Sequence, residues 1–257
     1  MPRIMRLMDR KREMNLIDFS RLGLIREKSL DFLSDYRRLE LDLLPHLGFN
    51  NERLYEFPEE LYGYCGQGLL SWQYPNQFSK YLVTLSRFQI YTYLEIGVRH
   101  GGTFVATVEY LNRFHPLRKA VGVDICHSPS LARYTKINPR AEFIQMDSQS
   151  LQFKEFIRIN GRYDLVLIDG SHEENACRND FENVRKKANI VVFHDIKSDI
   201  CPGVGKVWNE VKASHLDEYD FFEYVEQYKS VIKRTGHSFV GIGMAVRKDW
   251  QENAKVL

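Results

Sequence analysis

Long apolar runs are missing from this sequence. No stretch approaches the ~20 apolar residues of a membrane-spanning helix, so a helical membrane protein is not expected. The basic start, residues 1–15, is not followed by the apolar segment of a secretory leader, and the expected location is the cytoplasm. Cysteine is scarce too. Cys65, Cys126, Cys177 and Cys201 lie far apart and form no C-x-x-C pair, which speaks against a zinc cluster or a short disulfide framework and for free thiols in a reducing compartment. Charge of one sign is also lacking: 36 Lys and Arg stand against 34 Asp and Glu, a net charge of +2 that gives no electrostatic reason to expect nucleic acid. The expected partner is therefore a small molecule, with no membrane and no nucleic acid, and a homo-oligomer is the expected assembly. Neither an internal repeat nor a low-complexity tract occurs.

What the chain does contain is alternation. From residue 91 onward, short β-branched or aromatic runs alternate with amphipathic segments, the pattern of βαβ units that build a mostly parallel sheet. Strands are predicted at 91–96, 120–123, 142–145, 163–168, 189–193, 219–225 and 239–246, the last two as a hairpin-like pair. Helices are predicted at 104–114, 131–136, 151–159, 175–187 and 204–212. Leu165 to Ile168 and Ile190 to Phe193 are apolar on both faces, as central strands covered by helices should be. The first ninety residues differ: 24–44 reads as one long charged amphipathic helix, 52–62 and 75–88 as shorter ones, joined by an aromatic-rich connection. The expected division is a helical extension or lid over 1–74 and a catalytic domain over 75–257.

The strongest chemical signal is Leu94-Glu95-Ile96-Gly97-Val98-Arg99-His100-Gly101-Gly102-Thr103, which follows a strand and opens a helix. Gly97 and Gly101 permit close backbone approach, and the helix N–H groups from Gly102 onward face the same space. Glu95 at the strand end suits a cationic ligand better than a pyrophosphate, because it can accept hydrogen bonds from an ammonium group. A second strand ends in Asp124, a carboxylate able to accept from both hydroxyls of a ribose; by itself such an Asp is more often a turn former. A third ends in Asp147-Ser148, where Ser148 or Ser150 can equally cap the next helix. Asp169-Gly170-Ser171-His172 and His194-Asp195 follow two further apolar strands, at the carboxyl ends where ligands of open α/β sheets bind.

The glycine segment resembles motif I of the class I S-adenosylmethionine-dependent methyltransferases. Ile168-Asp169-Gly170-Ser171-His172 together with Val192-Phe193-His194-Asp195-Ile196 and Pro202-Gly203-Val204-Gly205 narrows the resemblance, over residues 70–246, to the group that holds cephalosporin-hydroxylase-like proteins and sugar O-methyltransferases of the calicheamicin type. This resemblance implies a Rossmann-like, doubly wound seven-stranded α/β sheet with an N-terminal helical extension, and S-adenosylmethionine as cofactor. It further implies donor contacts from Glu95, Gly97, Arg99, Gly101, Thr103, Asp124, Asp169, Gly170 and Ser171, with Asp147 and Ser148 at the adenine. Some relatives hold Mg2+ with carboxylates after the fourth and fifth strands; the matching positions here are Asp169, His194 and Asp195.

Methyl transfer from a sulfonium is an in-line displacement that needs alignment of the acceptor and removal of its proton. For a sugar hydroxyl, His172 is the expected general base, with an ordinary pKa of ~6.5, and His194 and Asp195 are expected to position the acceptor. Trp72, Tyr74 and Tyr64 are the aromatics able to stack on a sugar face. The rival readings are N-methylation of a small amine, a nicotinamide-dependent oxidoreductase, disfavoured because GxGxxG is absent, and a non-catalytic relative that keeps the fold as a binding module.

Overall fold

A computed structural model describes residues 16–250 of the chain; the basic start at 1–15 lies outside the described residues. Seven strands form one sheet: β1 (Thr92–Ile96), β2 (Lys119–Asp124), β3 (Ala141–Gln145), β4 (Tyr163–Ile168), β5 (Ala188–His194), β6 (Tyr219–Tyr224) and β7 (Ile242–Arg247). Their order is β3-β2-β1-β4-β5-β7-β6, with β1 to β5 parallel and β7 antiparallel to both its neighbours. The chain runs outward from β1 in one direction to β3 and then in the other from β4. The crevice between β1 and β4 is therefore a topological switch point, where open α/β sheets bind their ligands.

Both faces of the sheet are covered, as the doubly apolar strands require. Leu165, Leu167, Ile190, Val192, Met244 and Val246 enter one cluster, while Val166, Ile168, Val191, Phe193 and Ala245 enter the other. The covering helices are α1 (Pro75–Leu85), α2 (Gly102–Phe114), α3 (Pro129–Ile137), α4 (Leu151–Ile159), α5 (Glu174–Val184), α6 (Pro202–Ser214) and α7 (Lys229–Thr235). The last of these carries one fully buried apolar residue, Val231, and has no counterpart among the predicted elements.

Three predictions need correction. The short helix expected over 52–62 is two 3-10 turns, Leu54–Glu56 and Glu59–Tyr64. The single helix expected over 24–44 is a series of short pieces, Gly23–Arg26, Leu30–Leu33, Tyr36–Arg38 and a π turn over Leu39–Leu43. Ser29 and Asp35 break it. Each adopts an extended backbone and accepts backbone N–H groups of the following turn, Ser29 from Phe32 and Asp35 from Arg37 and Arg38, so each starts a new helix inside an apolar pattern that continues. The final pair of strands is antiparallel but not a hairpin, since α7 lies between them. Strand β7 begins at Ile242 rather than 239 because Val240 and Gly241 hold φ 52 and 111, and two left-handed residues in succession end an extended run.

The short N-terminal helices have no core of their own. Leu22, Ile25, Leu33, Leu39 and Leu43 belong to the cluster that includes Tyr93, Val105, Val108 and Leu111 of β1 and α2. An ion pair secures the contact: Arg26 donates through Nε and Nη2 to the two oxygens of buried Glu109 at 2.7 and 2.8 Å, and Tyr134 donates to the same carboxylate at 2.7 Å. Further along, Phe49, Phe57, Leu61 and Tyr74 pack with Val231, Phe239 and Val240 in a third cluster. This brings segment 49–74 over the carboxyl ends of the strands.

Candidate functional site

The carboxyl ends of β1 to β5 open into a cleft of about 620 Å3. Every residue expected from the sequence to contact the donor, a metal or the acceptor proton lines it except Gly101. The missing side chains of the two glycines make room for protein rather than ligand: a Cβ on Gly97 would stand 2.1 Å from Asp169 O, and one on Gly101 2.6 Å from Leu131 Cδ2. Gly97, at φ 87, is what lets the β1 and β4 loops meet. Asp169 N completes the junction by donating to Ile96 O at 2.8 Å.

Glu95 is 1% exposed and accepts from the Tyr93 hydroxyl. Burial, reinforced by the charge of Asp169, pushes its carboxyl well above the usual range, so the group is poised to ionise when a cation arrives. Asp124 at the tip of β2 accepts from Arg99 N at 2.7 Å and Cys126 N at 2.8 Å, one amide per oxygen. Each oxygen can accept a further hydrogen bond, and Asp124 lines the cleft. Arg99 turns at φ 47, and its guanidinium leaves the glycine loop to pair with Glu52 and lie 5.4 Å above the Trp72 ring. Thr103 takes the Gln73 amide at 3.5 Å. At the end of β3, Ser150 rather than Ser148 caps α4, accepting from Phe153 N at 3.1 Å. That leaves Asp147 and Ser148 on the cleft wall.

On the other side of the crevice, four groups converge. His194 Nδ1 lies 3.1 Å from Asp169 Oδ1 and 3.6 Å from Asp195 Oδ1, while His172 Nε2 lies 3.1 Å from Asp195 Oδ2 and 3.6 Å from Asp169 Oδ1. Burial alone would lower His172, but Asp169, Cys201 and Asp195 outweigh it and push the imidazole up to about 10. The ordinary value expected from the sequence does not hold beside these neighbours. Burial would likewise raise Asp169 and Asp195, yet His194 and His172 hold both carboxyls below the usual range. His194 is 4% exposed, and its Nε2 has no partner among the described residues. Asp169, His194 and Asp195 each present a ligand atom within 4.8 Å of the others, as do His172, Asp195 and Cys201. Two converging carboxylates fit a hard divalent cation, and the imidazoles would bind one only after losing their protons.

The sequence reading missed the facing wall. Asn50, Glu52, Arg53 and Glu56 line the cleft with Trp72. Glu52 accepts from Arg99 and sits 2.7 Å from His100 Nε2, which ties this wall to the glycine loop; against the upward push of burial, these two partners hold its carboxyl below the usual value. Trp72 donates to Glu56 at 3.0 Å, and its ring is also covered by Arg53 at 5.7 Å. Tyr74 has no free face: it is 1% exposed, donates to Glu56 O and packs edge-on against Phe57 and Tyr228. Tyr64 packs on His46 and does not line the cleft. Of the three aromatics expected to meet a sugar, only Trp72 is in place.

Residues 94–196 match the family model described as a methyltransferase domain. No curated protein sequence matches the chain. Among solved structures, the O-methyltransferase TomG from Streptomyces achromogenes, involved in tomaymycin synthesis and in complex with SAM, is 14% identical over 69% of this chain and 82% of its own, with a TM-score of 0.50. An O-methyltransferase from Bacillus cereus in complex with SAH is 16% identical over 66% of this chain and 80% of its own, TM-score 0.48. MycE from the mycinamycin biosynthetic pathway, in complex with Mg, SAH and mycinamycin VI, is 19% identical over 71% of this chain, TM-score 0.46; this chain spans 51% of MycE. At 14% identity the likeness to TomG speaks for the fold alone. Among the described residues no helix is long and apolar enough to cross a membrane. The segment that matches the methyltransferase-domain model runs from within β1 to just past β5, the parallel half of a Rossmann-like sheet, and it carries most of the cleft at the switch point.

Proposed function

We propose that the chain transfers the methyl group of S-adenosylmethionine to a hydroxyl of a small polar acceptor, a sugar or glycoside in a natural-product or surface-glycan pathway. The observation that carries this reading is the placement of three acids at three successive strand ends around one cleft. Glu95 meets the donor's ammonium, Asp124 its ribose hydroxyls and Asp147 its adenine amine, with Ser148 beside the ring. The sulfonium then lies toward Asp169, whose charge, with that of Asp195, favours a cation there.

The acceptor fits between that point and the wall formed by Arg53, Glu56 and Trp72. Its oxygen attacks the methyl carbon in line with the breaking S–C bond, S-adenosylhomocysteine departs, and the hydroxyl proton passes to His172. Asp169 and Asp195 favour the charged form of that imidazole, and the arrival of the sulfonium favours its neutral form by placing a like charge beside it. His194 and Asp195 orient His172 and the acceptor. Asp169 and Asp195 are the residues that would hold Mg2+, which when bound would act as a Lewis acid on the acceptor oxygen.

The test is product formation: incubation with S-adenosylmethionine and a panel of free sugars, glycosides and amines, read by mass. A gain of one methyl on a hydroxyl-bearing acceptor supports the reading. Methylation confined to amines, or reduction of NAD+ in its place, contradicts it.

A further inference from the structure

Gln149 is exposed, and an exposed glutamine ordinarily spends its amide on water. Here Nε2 lies 2.9 Å from Asp180 Oδ1, 3.2 Å from Ser148 Oγ and 3.3 Å from Ala176 O, while Oε1 accepts from Asn179 Nδ2 at 3.2 Å. The whole amide is turned onto α5, on which Asp180 has a relative exposure of 0%. One oxygen of that carboxyl holds Gln149; the other, Oδ2, is buried without a partner among the described residues and lies 3.5 Å from where a Cβ on Gly170 would stand. An acid placed there costs desolvation that an apolar residue would avoid. Asp180 thus sits beneath two stretches of the cleft wall at once, Asp147 to Gln149 after β3 and Gly170 after β4.

We propose that Asp180, acting through Gln149, is a positioning residue for the base end of the donor pocket. The inference rests on the reading of the cleft as the donor site. Asp180 does not line the cleft; it fixes the loop that does. Asp147 N-terminal to that loop accepts Gln149 N at 2.8 Å, so a Gln149 tied to α5 also sets the direction of the Asp147 carboxylate. A charged acceptor makes the Gln149 bond about twice as strong as a neutral one, and protonation of Asp180 therefore loosens the loop.

Burial, with the charge of Asp147 pushing the same way, raises the Asp180 carboxyl to about 6, against hydrogen bonds from Ser148 and Gln149. Asp147 is the ionisable group facing it from the β3 loop. On its own helix, Cys177 is a buried thiol pushed up to about 12, and Glu174 and Arg178 are engaged with Lys206 and Glu210 of α6. The clamp is thus closed at neutral pH and weakens as pH falls through about 6.

Two measurements on the full chain test this. Calorimetric titration of S-adenosylhomocysteine between about pH 5 and about pH 8 should show affinity about fivefold weaker at the acid end. Asp180→Asn should lose that part of the dependence, because the amide still accepts from Gln149 but does not titrate. Gln149→Glu should reverse it, binding worst at neutral pH where two carboxylates face each other. Hydrogen-exchange protection at the amides of Ser148 to Ser150, without ligand and relative to the intrinsic exchange rate at each pH, should fall in Asp180→Ala and in the wild type below pH ~6. An equal pH slope in wild type, Asp180→Asn and Gln149→Glu overturns the clamp, as does exchange that ignores Asp180. Exchange that responds in a protein that binds no S-adenosylhomocysteine keeps the clamp and removes the donor reading.

Discussion

His172 Nε2 stands 3.1 Å from Asp195 Oδ2, and Asp195 presents that oxygen from a backbone held at φ 63. A left-handed non-glycine residue costs on the order of 1 kcal/mol and persists where its surroundings impose it. Here the turn directly after β5 swings the carboxylate back toward the β4 loop. The result is an imidazole shared between two acids at the mouth of the switch-point crevice.

That geometry sets the pH dependence of turnover. A base must be neutral, and Asp169, Cys201 and Asp195 hold the proton on His172 up to about 10. The kcat/KM for the donor, which reports the free enzyme, should therefore climb with pH between about 7 and about 9, with a slope approaching tenfold per unit, and His172→Gln should lower it by ~100-fold and flatten the slope. A pH–rate profile already level at pH ~6.5 would contradict the assignment. The stability sign is the opposite one. The folded pKa lies above the unfolded ~6.5, so the attraction to Asp169 and Asp195 is fully present below that value and is lost as pH rises through about 10.

Gly97 predicts a structural cost. At φ 87, with Asp169 O standing 2.1 Å from the position of a Cβ, Gly97→Ala combines left-handed strain of ~1–2 kcal/mol with a backbone clash of ~1–3 kcal/mol. Thermal unfolding should fall by ~5–15 °C. An unchanged midpoint would mean that the β1 and β4 loops do not meet as described.

Glu52 predicts a cost at the opposite wall. His100 is 6% exposed, its Nδ1 has no partner among the described residues, and Nε2 depends on Glu52. Glu52→Ala strands the ring and should cost ~1–3 kcal/mol, whereas Glu52→Gln keeps an acceptor and should recover much of it. Denaturant melts of the two variants check the difference, and equal losses would show that the hydrogen bond is not what matters.

The sheet was legible where burial on both faces left a continuous apolar run, as at Leu165 to Ile168, and where a strand ended in a carboxylate beside a glycine, as at Glu95 and Asp124. The N-terminal helices were not, because the apolar periodicity of 24–44 runs on past Ser29 and Asp35, and only their backbone conformation shows them to be caps. Glu52, Arg53 and Glu56 escaped notice because they sit in or beside short 3-10 turns with no period, some forty residues from the motif they face. Asp180 looked like one more polar position on an amphipathic helix. Its burial is decided by the loop above it, which sequence pattern does not encode.

Glu95 and Asp124, the acids at the tips of β1 and β2, are proposed to grip one small molecule. Calorimetric titration of S-adenosylhomocysteine into the wild type and into Asp124→Ala tests it most directly. Saturable binding by the wild type is expected, with a loss of ~10–100-fold on removal of the Asp124 carboxylate, the equivalent of ~1.5–3 kcal/mol. Absence of heat with the wild type, or equal affinity in the variant, would contradict it.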